Sequence, residues 1–374
     1  MDFSLNEEQQ LLKDSVDRFI REEYDLDKRR ELAGSSDGYS EENWNKMAEL
    51  GWLGASLPEE YGGFGGGPVE TMVVMEAFGR GLVVEPYFAT VVLGANFLLQ
   101  GGSEALKQDL LPKLAEGKVK MAFAYAERQS RYDLHDVEFK AEKSGDSYVL
   151  NGEKGVVFHA AAADKIVVSA RTGGGSRDAK GITVFLVDGG ANGLSRRDYP
   201  TVDGLRASEL TFDNVQAEAV LGEVDNGLSL IETVVQHGIA AVSAEAVGCM
   251  DVLLDTTNEY LKTREQFGQP IGKFQAVQHR MADMFIKCEE ARSMCYLATM
   301  KLDESEALER AKTTSAAKVQ IGESARFVGQ QSVQLHGGMG MTDEMNVGHY
   351  FKRLTMIDTL FGDHNYHLKR YSDM

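Results

Sequence analysis

The sequence has no cysteine pair at metal or redox spacing. Cys249, Cys288 and Cys295 are its only cysteines, and none forms a CxxC. An odd count without ligand spacing reads as buried free thiols in a reducing compartment. Cys288 and Cys295 lie seven residues apart, on one face of a helix, which favours core packing over redox chemistry. No run of eighteen apolar residues occurs, so no membrane-spanning helix is expected. The opening stretch MDFSLNEEQQLL lacks the basic start and apolar centre of a signal peptide, and a cytoplasmic location is the expectation. Positive charge is scarce. Lys and Arg number 39 against 58 Asp and Glu, a formal net charge of -19. That balance opposes general binding to nucleic acid or to an anionic membrane, and an anionic small ligand would need a local cluster of donors.

What is present fills 374 residues, of which 43% are hydrophobic. Such a chain supports two or three domains with sizeable cores. From Glu7 to Glu22, Leu11, Leu12, Val16, Phe19 and Ile20 recur at helical spacing. A second helical stretch, Glu41 to Leu50, runs into LGWLGASLPEEYGGFGGG. That stretch has neither GxGxxG nor GxxxxGK[ST] spacing and reads as a connection rather than a phosphate cradle. Helices resume from Pro68 to about Glu116. Short β-rich runs follow (YVLNGEKGVVF, KIVVSART, GITVFLV, SELTFDNV), with RTGGGSRDAKG as an exposed hairpin loop. Long helices return from Gly227. There Met281, Met284, Phe285, Cys288, Ala291 and Cys295 keep the three-four rhythm of a bundle helix. The small residues of AAVSAEAVG suit close helix approach. The expected division is a helical domain over 1–120, a β-domain over 121–225 and a helical bundle over 226–374.

Two segments carry chemistry. In TREQFGQPIGKFQAVQHRMADM, Arg264 offers a fork of donors suited to phosphate and Phe267 a flat apolar face, before a turn at Gly268 and Pro270. In QLHGGMGMT, glycines permit close backbone approach and leave amide N–H groups free to face an anion. Alone, a Gly-Gly after a helix is more often a helix terminator.

Together these segments resemble the acyl-CoA dehydrogenase family of flavoproteins, whose bundle carries RxxFGxxIxxFQ and, some sixty residues on, QxxGGxG. LGWLGASLPEEYGG, LNGEK and LTFDNV resemble further family segments, so the likeness covers nearly the whole chain. It implies an N-terminal helical domain, a β-domain and a C-terminal four-helix bundle. It implies FAD, an acyl-CoA thioester substrate and a place in lipid metabolism. Dimers or tetramers are implied as well, as is an electron acceptor such as an electron-transfer flavoprotein. By position, Arg264, Phe267, Gln275, Gln334, Gly337 and Gly338 are the implied contacts to FAD bound mainly by the adjacent subunit. The implied reaction is α,β-dehydrogenation, with a carboxylate removing the α-proton. A dry site raises that carboxylate's pKa, and hydrogen bonds polarise the thioester carbonyl.

The chain also departs from the family. Where YEGT is usual, it reads LFGDHNYHLKR. Counting back from Arg370 puts Asp363 at the base position; counting forward puts Phe361 or Gly362 there. The alternative base on the first bundle helix falls at Gly238, and Glu245 two turns later suits helix contact. TEPxxGSD reads AERQSRYD: Glu127 and Asp133 match, Ala126 replaces threonine and Tyr132 serine, and Arg128 and Arg131 replace proline and glycine. W[IV]TN reads VVFH, with Val156 for tryptophan and Phe158 for threonine. These side chains cannot donate to a flavin ring. His364 and His367 lie three apart, a spacing that could suit a metal, but no third ligand is evident and no metal is expected. Three readings follow. One is a partner subunit of a heteromeric acyl-CoA dehydrogenase, without its own base or complete flavin seat. Another is a self-sufficient homo-oligomer with Asp363 as base. The last is a flavin-free scaffold of the same fold.

Overall fold

The computed structural model describes residues 4–303 and 306–374. Helices α1 (Glu7–Glu23), α2 (Leu26–Gly34) and α3 (Glu41–Glu49) open the chain. Asn6 caps α1 through a reciprocal box with Gln9, and Ser40 caps α3 by accepting from Asn43 N–H. The glycine-rich connection forms two short 3-10 turns. Helix α4 (Pro68–Gly81) starts on proline, whose missing N–H costs nothing at that position. A π-helical stretch, Phe88–Gly94, then runs into α5 (Ala95–Gly101), and α6 (Glu104–Ala115) completes this part.

The β-domain is one eight-stranded sheet of β1 (Met121–Ala124), β2 (Lys140–Ser144), β3 (Ser147–Phe158), β4 (Lys165–Arg171), β5 (Ile182–Asp188), β6 (Leu194–Pro200), β7 (Arg206–Gln216) and β8 (Ala219–Leu221). Strands run in the order β6-β7-β3-β2-β4-β5-β8, and β1 pairs in parallel with β4. The central strands β4 and β5 are buried almost throughout, which their near-continuous Ile, Val and Phe content requires.

The last part holds α7 (Leu228–Thr263), the two-residue strands β9 (Glu265–Gln266) and β10 (Gln269–Pro270), α8 (Gln275–Lys301), α9 (Ala307–His336), α10 (Asn346–Thr359) and α11 (His364–Asp373). Contrary to the apolar-run count, α7 is long and apolar enough to cross a bilayer by composition, yet 78% of its most apolar window is buried inside the fold. On α8, Met284, Cys288, Ala291, Cys295 and Ala298 form the buried line. Phe285 does not join it and is 55% exposed. One residue is 100° of helix, which turns Phe285 out of the line its neighbour Met284 occupies. All three cysteines are buried free thiols, and burial pushes Cys288 up to about 12.

The compact units do not follow chain order. One is drawn from Met1–Arg30, Pro68–Val83 and Ile239–Met374, the other from Glu31–Gly67 and Val84–Gly238. In the first unit α4 crosses α7 backbone to backbone. A Cβ on Gly248 would stand 1.9 Å from the Glu76 carbonyl oxygen, and one on Gly79 would stand 2.1 Å from that of Glu245. The small residues of AAVSAEAVG make this approach possible.

Candidate functional site

Within the helical unit, α7 ends at Thr263 and Arg264 follows, its backbone N–H still bonded to Tyr260. Strands β9 and β10 make a hairpin whose two tip residues, Phe267 and Gly268, have φ of 53° and 79°. Both positive values define the tightest hairpin turn, usually Asn-Gly or Asp-Gly. A phenylalanine there costs about 1–2 kcal/mol in the left-handed region. In exchange the ring is displayed, 92% exposed, at the tip of the hairpin. Arg264 is exposed too, and its guanidinium makes no hydrogen bond or ion pair among the described residues. Gln275, also exposed, begins α8, where the first-turn amides have no side-chain cap.

The second segment closes α9. Gln334 is exposed in the last turn, and Gly337 stops the helix at φ 60°. A Cβ on Gly268, Gly337 or Gly338 would meet nothing within 4 Å, so the space beside all three is open. Tyr260 and His336 stack with ring centroids 4.3 Å apart, tying the end of α7 to the end of α9. The stack fixes the two motif segments relative to each other. Burial holds the His336 pKa below its ordinary value, and its Nε2 has no hydrogen-bond partner among the described residues.

The C-terminal turn joins α10 to α11. Phe361 (φ 57°) is buried and Gly362 (φ 115°) adopts a conformation natural only to glycine. Asp363 is the N-cap of α11, half-buried, accepting Tyr366 N–H at 2.8 Å. Lys318 of α9 supports this turn from inside, donating to the carbonyls of Asp358 (2.6 Å) and Gly362 (2.8 Å). Burial pushes its pKa down to about 8. His367 Nε2 lies 3.0 Å from the Phe361 carbonyl and Nδ1 3.2 Å from the Ser315 hydroxyl. That pairing suits the neutral ring with the proton on Nε2, and burial drives its pKa down to about 3. His364 bonds instead to Asp358, at 2.9 Å. Gly238 is buried in α7. Glu245, further along, is committed to Arg353 of α10 in a buried two-point pair at 2.5 and 2.7 Å.

In the β unit, the loop Ala126–Asp133 leaves β1 and is anchored by Glu127. Its carboxylate meets Lys154 Nζ at 2.6 Å and accepts the N–H groups of Glu138 and Phe139. Lys154 also donates to the Tyr125 carbonyl and the Ser169 hydroxyl, and desolvation lowers its pKa to about 8. Gly155 N–H donates to the Ala126 carbonyl, which sets the loop beside the irregular stretch of β3. Pairing with β7 slips between Lys154 and Val157. Val156 sits in that bulge at φ 51°, 45% exposed. Arg131 takes φ 46° where the resemblance had glycine. The hairpin loop after β4 is strapped down. Arg171 donates to the carbonyls of His135, Val137, Ser176, Asp178 and Lys180, and Arg177 pairs with Asp136 at 2.9 Å.

Lys154, Lys318, Arg171 and Arg353 escaped the sequence reading. Their one signal was a charge set within an apolar run, as in GEKGVV or AAKVQIG.

The N-terminal, middle and C-terminal domain families of the acyl-CoA dehydrogenases match residues 6–118, 122–215 and 225–372. The probable acyl-CoA dehydrogenase YngJ of Bacillus subtilis is 33% identical over 354 residues, covering 93% of this chain and 92% of the relative. Among solved structures, a variant of the Tcur3481-Tcur3483 steroid ACAD superposes with TM-score 0.90 at 30% identity, covering 99% of this chain and 98% of its own. The ChsE4-ChsE5 complex from Mycobacterium tuberculosis gives TM-score 0.89 at 28% identity, covering 100% and 98%.

Proposed function

The chain belongs to the acyl-CoA dehydrogenase family, and on that premise we propose that it is the cofactor-completing subunit of a two-chain dehydrogenase. In this reading an unlike partner carries the base and the seat of the flavin ring. The observation that carries the reading is the turn Leu360–Asp363. Gly362, at φ 115°, answers to the glycine of YEGT, which leaves Phe361 at the base position. A buried phenylalanine accepts no proton. The Asp363 carboxylate is engaged in capping α11, and that of Glu245 is held by Arg353.

FAD is the family's cofactor and, when bound, supplies the hydride acceptor for α,β-dehydrogenation of an acyl-CoA. The residues of this chain fit its nucleotide half. Arg264 is free to pair with a diphosphate, Phe267 to cover an adenine face, and Gly337 and Gly338 to bring amide donors close. Gln275 and Gln334 supply amides at the same surface. The residues facing a ring are a poorer fit, since Ala126, Val156 and Phe158 carry no donor. Two pair-named relatives, the Tcur3481-Tcur3483 steroid ACAD and the ChsE4-ChsE5 complex, support the two-chain arrangement. An acceptor such as an electron-transfer flavoprotein and a cytoplasmic setting belong to the same reading.

The experiment is flavin stoichiometry and turnover, for the chain alone and co-expressed with a dehydrogenase chain that has an intact TEPxxGSD and a glutamate base. Expected are little FAD alone, stoichiometric FAD in the pair, loss of FAD in Arg264→Ala, and unchanged turnover in Asp363→Asn. A yellow homo-oligomer that an acyl-CoA bleaches, and that Asp363→Asn silences at full flavin content, would make this chain self-sufficient instead.

A further inference from the structure

Three Asn-Gly pairs occur in the chain: Asn151-Gly152, Asn192-Gly193 and Asn226-Gly227. In each, the glycine has no Cβ to shield its backbone nitrogen, so that nitrogen is well placed to attack the side-chain amide before it. The structure separates the three. Asn151 lies inside β3, where it pairs with Lys140 of β2 while Gly152 pairs with Phe212 of β7. Its side-chain oxygen also accepts Asn214 N–H at 2.8 Å. Gly227 is buried, and its N–H donates to the Ile182 carbonyl at 2.7 Å. Asn192 and Gly193 are both exposed, in the connection from β5 to β6. Among the described residues, neither the Asn192 side chain nor the Gly193 N–H makes a hydrogen bond. The turn around them is closed by Leu194 N–H on the Ala191 carbonyl, at 3.2 Å, and by Asp213 N–H on the Gly193 carbonyl, at 3.0 Å. Strand β6 is an edge of the sheet, so both bonds stand at a margin where opening costs least. Gly193 has φ 86°, and a Cβ there would stand 2.1 Å from the Asp213 carbonyl oxygen, so the turn holds the reactive glycine in place.

We propose that Asn192 is a self-modification site, at which the chain converts asparagine to aspartate and isoaspartate without an enzyme. The Gly193 nitrogen bonds to the side-chain carbonyl carbon of Asn192 and closes a cyclic imide. The C–N bond of the side-chain amide breaks, and its NH2 leaves as ammonia with the proton that the Gly193 nitrogen gives up. Water then opens the imide at either carbonyl, and nothing is oxidised or reduced. Either product adds one carboxylate to a chain whose formal net charge is already -19. The isoaspartyl product also lengthens the main chain by one methylene, directly before the glycine whose carbonyl holds Asp213. Conversion therefore loosens the pairing of β6 with β7. The site shares no residue with the acyl-CoA chemistry, and its test does not depend on the two-chain reading.

The test holds the purified native assembly in neutral and in mildly alkaline buffer, beside a free peptide of residues 187–196. Peptide mapping by mass spectrometry reads the amide-to-acid mass gain, and isoaspartyl methyltransferase with labelled S-adenosylmethionine reads the isoaspartate. Conversion at Asn192 runs at least roughly tenfold faster than at Asn151 or Asn226, each of which must first break further structure. It is faster in the alkaline buffer, because the attacking nitrogen must lose its proton. In the converted protein the Asp213 N–H exchanges with solvent roughly tenfold faster than in fresh protein. Asn192→Gln, whose longer side chain closes a ring far more slowly, removes both signals. Conversion first at Asn151 or Asn226 overturns the proposal. So does an intact Asn192 while the free peptide converts, including the case in which another chain covers the turn. Unchanged exchange at Asp213 in converted protein overturns the loosening of β6.

Discussion

Lys154 and Glu127 are joined 2.6 Å apart with their side chains 0% and 5% exposed, one on strand β3 and the other on the loop that leaves β1. The pair fastens the loop Ala126–Asp133 to the sheet. Replacing Lys154 with methionine strands a buried carboxylate, although two backbone N–H groups still serve it. A loss of about 3 kcal/mol is expected, at the lower end for a broken buried pair. Lys154→Met with Glu127→Gln recovers part of that loss. Urea denaturation of both variants checks it; a double variant no more stable than the single one contradicts the account.

His367 makes the protein sensitive to acid. Its folded pKa is about 3 against an ordinary 6.5, with Lys318 and Arg370 facing it as cations and Asp363 as an anion. Between those values the unfolded chain binds a proton that the folded chain refuses. The contribution is therefore complete above pH 6.5 and is lost as pH falls toward 3, by about 1.4 kcal/mol per pH unit at most. His336 and His349, also lowered by burial, act in the same direction. His367→Gln should flatten the acid limb of a stability–pH curve relative to the unmodified protein. Parallel curves would assign the acid sensitivity elsewhere.

Gly248→Ala tests the crossing of α4 and α7. The added Cβ meets a backbone oxygen of Glu76 at 1.9 Å, which no side-chain rotation can relieve. The helices must part, at a cost of about 1–3 kcal/mol. Gly34→Ala, whose Cβ would meet nothing within 4 Å, is the control. Thermal melting should separate the two variants by several degrees, with Gly34→Ala at or above the parent.

Asp363 can be judged by stability as well as turnover. As an N-cap it tolerates asparagine, whereas alanine costs about 0.5–2 kcal/mol. Equal stability of Asp363→Asn and Asp363→Ala would mean that the Tyr366 N–H bond contributes nothing.

Much of this fold was legible because the signals were local. The rhythm of α1, the helical stretch of α3 and the apolar runs of β4 and β5 need no distant partner. Helix α2 was missed because LDKRRELAG is mostly charged and its helicity depends on surroundings. The π-helical stretch Phe88–Gly94 looks like ordinary helix in sequence. At the site, the Arg264 and Gln334 segments could be picked out because their spacings, RxxFG and QxxGG, are local. The base position could not be read from Asp363. Counting from either side gave different residues, because the conformation of the turn, with φ 115° at Gly362 and the cap at Asp363, leaves no mark in the sequence. Phe267 and Arg131, at φ 53° and 46°, show the same limit, since a strained conformation leaves no mark in composition.

The helical unit closes on itself over a long stretch of chain: the Cys249 thiol donates to the Gly79 carbonyl across 170 residues. During synthesis, at about 5–20 residues per second, α4 therefore waits roughly 10–30 seconds for the helix it packs against. The β unit has every residue it needs once Gly238 emerges from the ribosome. Until α7 arrives, the face of α4 around Glu76 and Gly79 is open to any chaperone or any neighbouring nascent chain. A transcript truncated before α7 would leave that surface exposed for good.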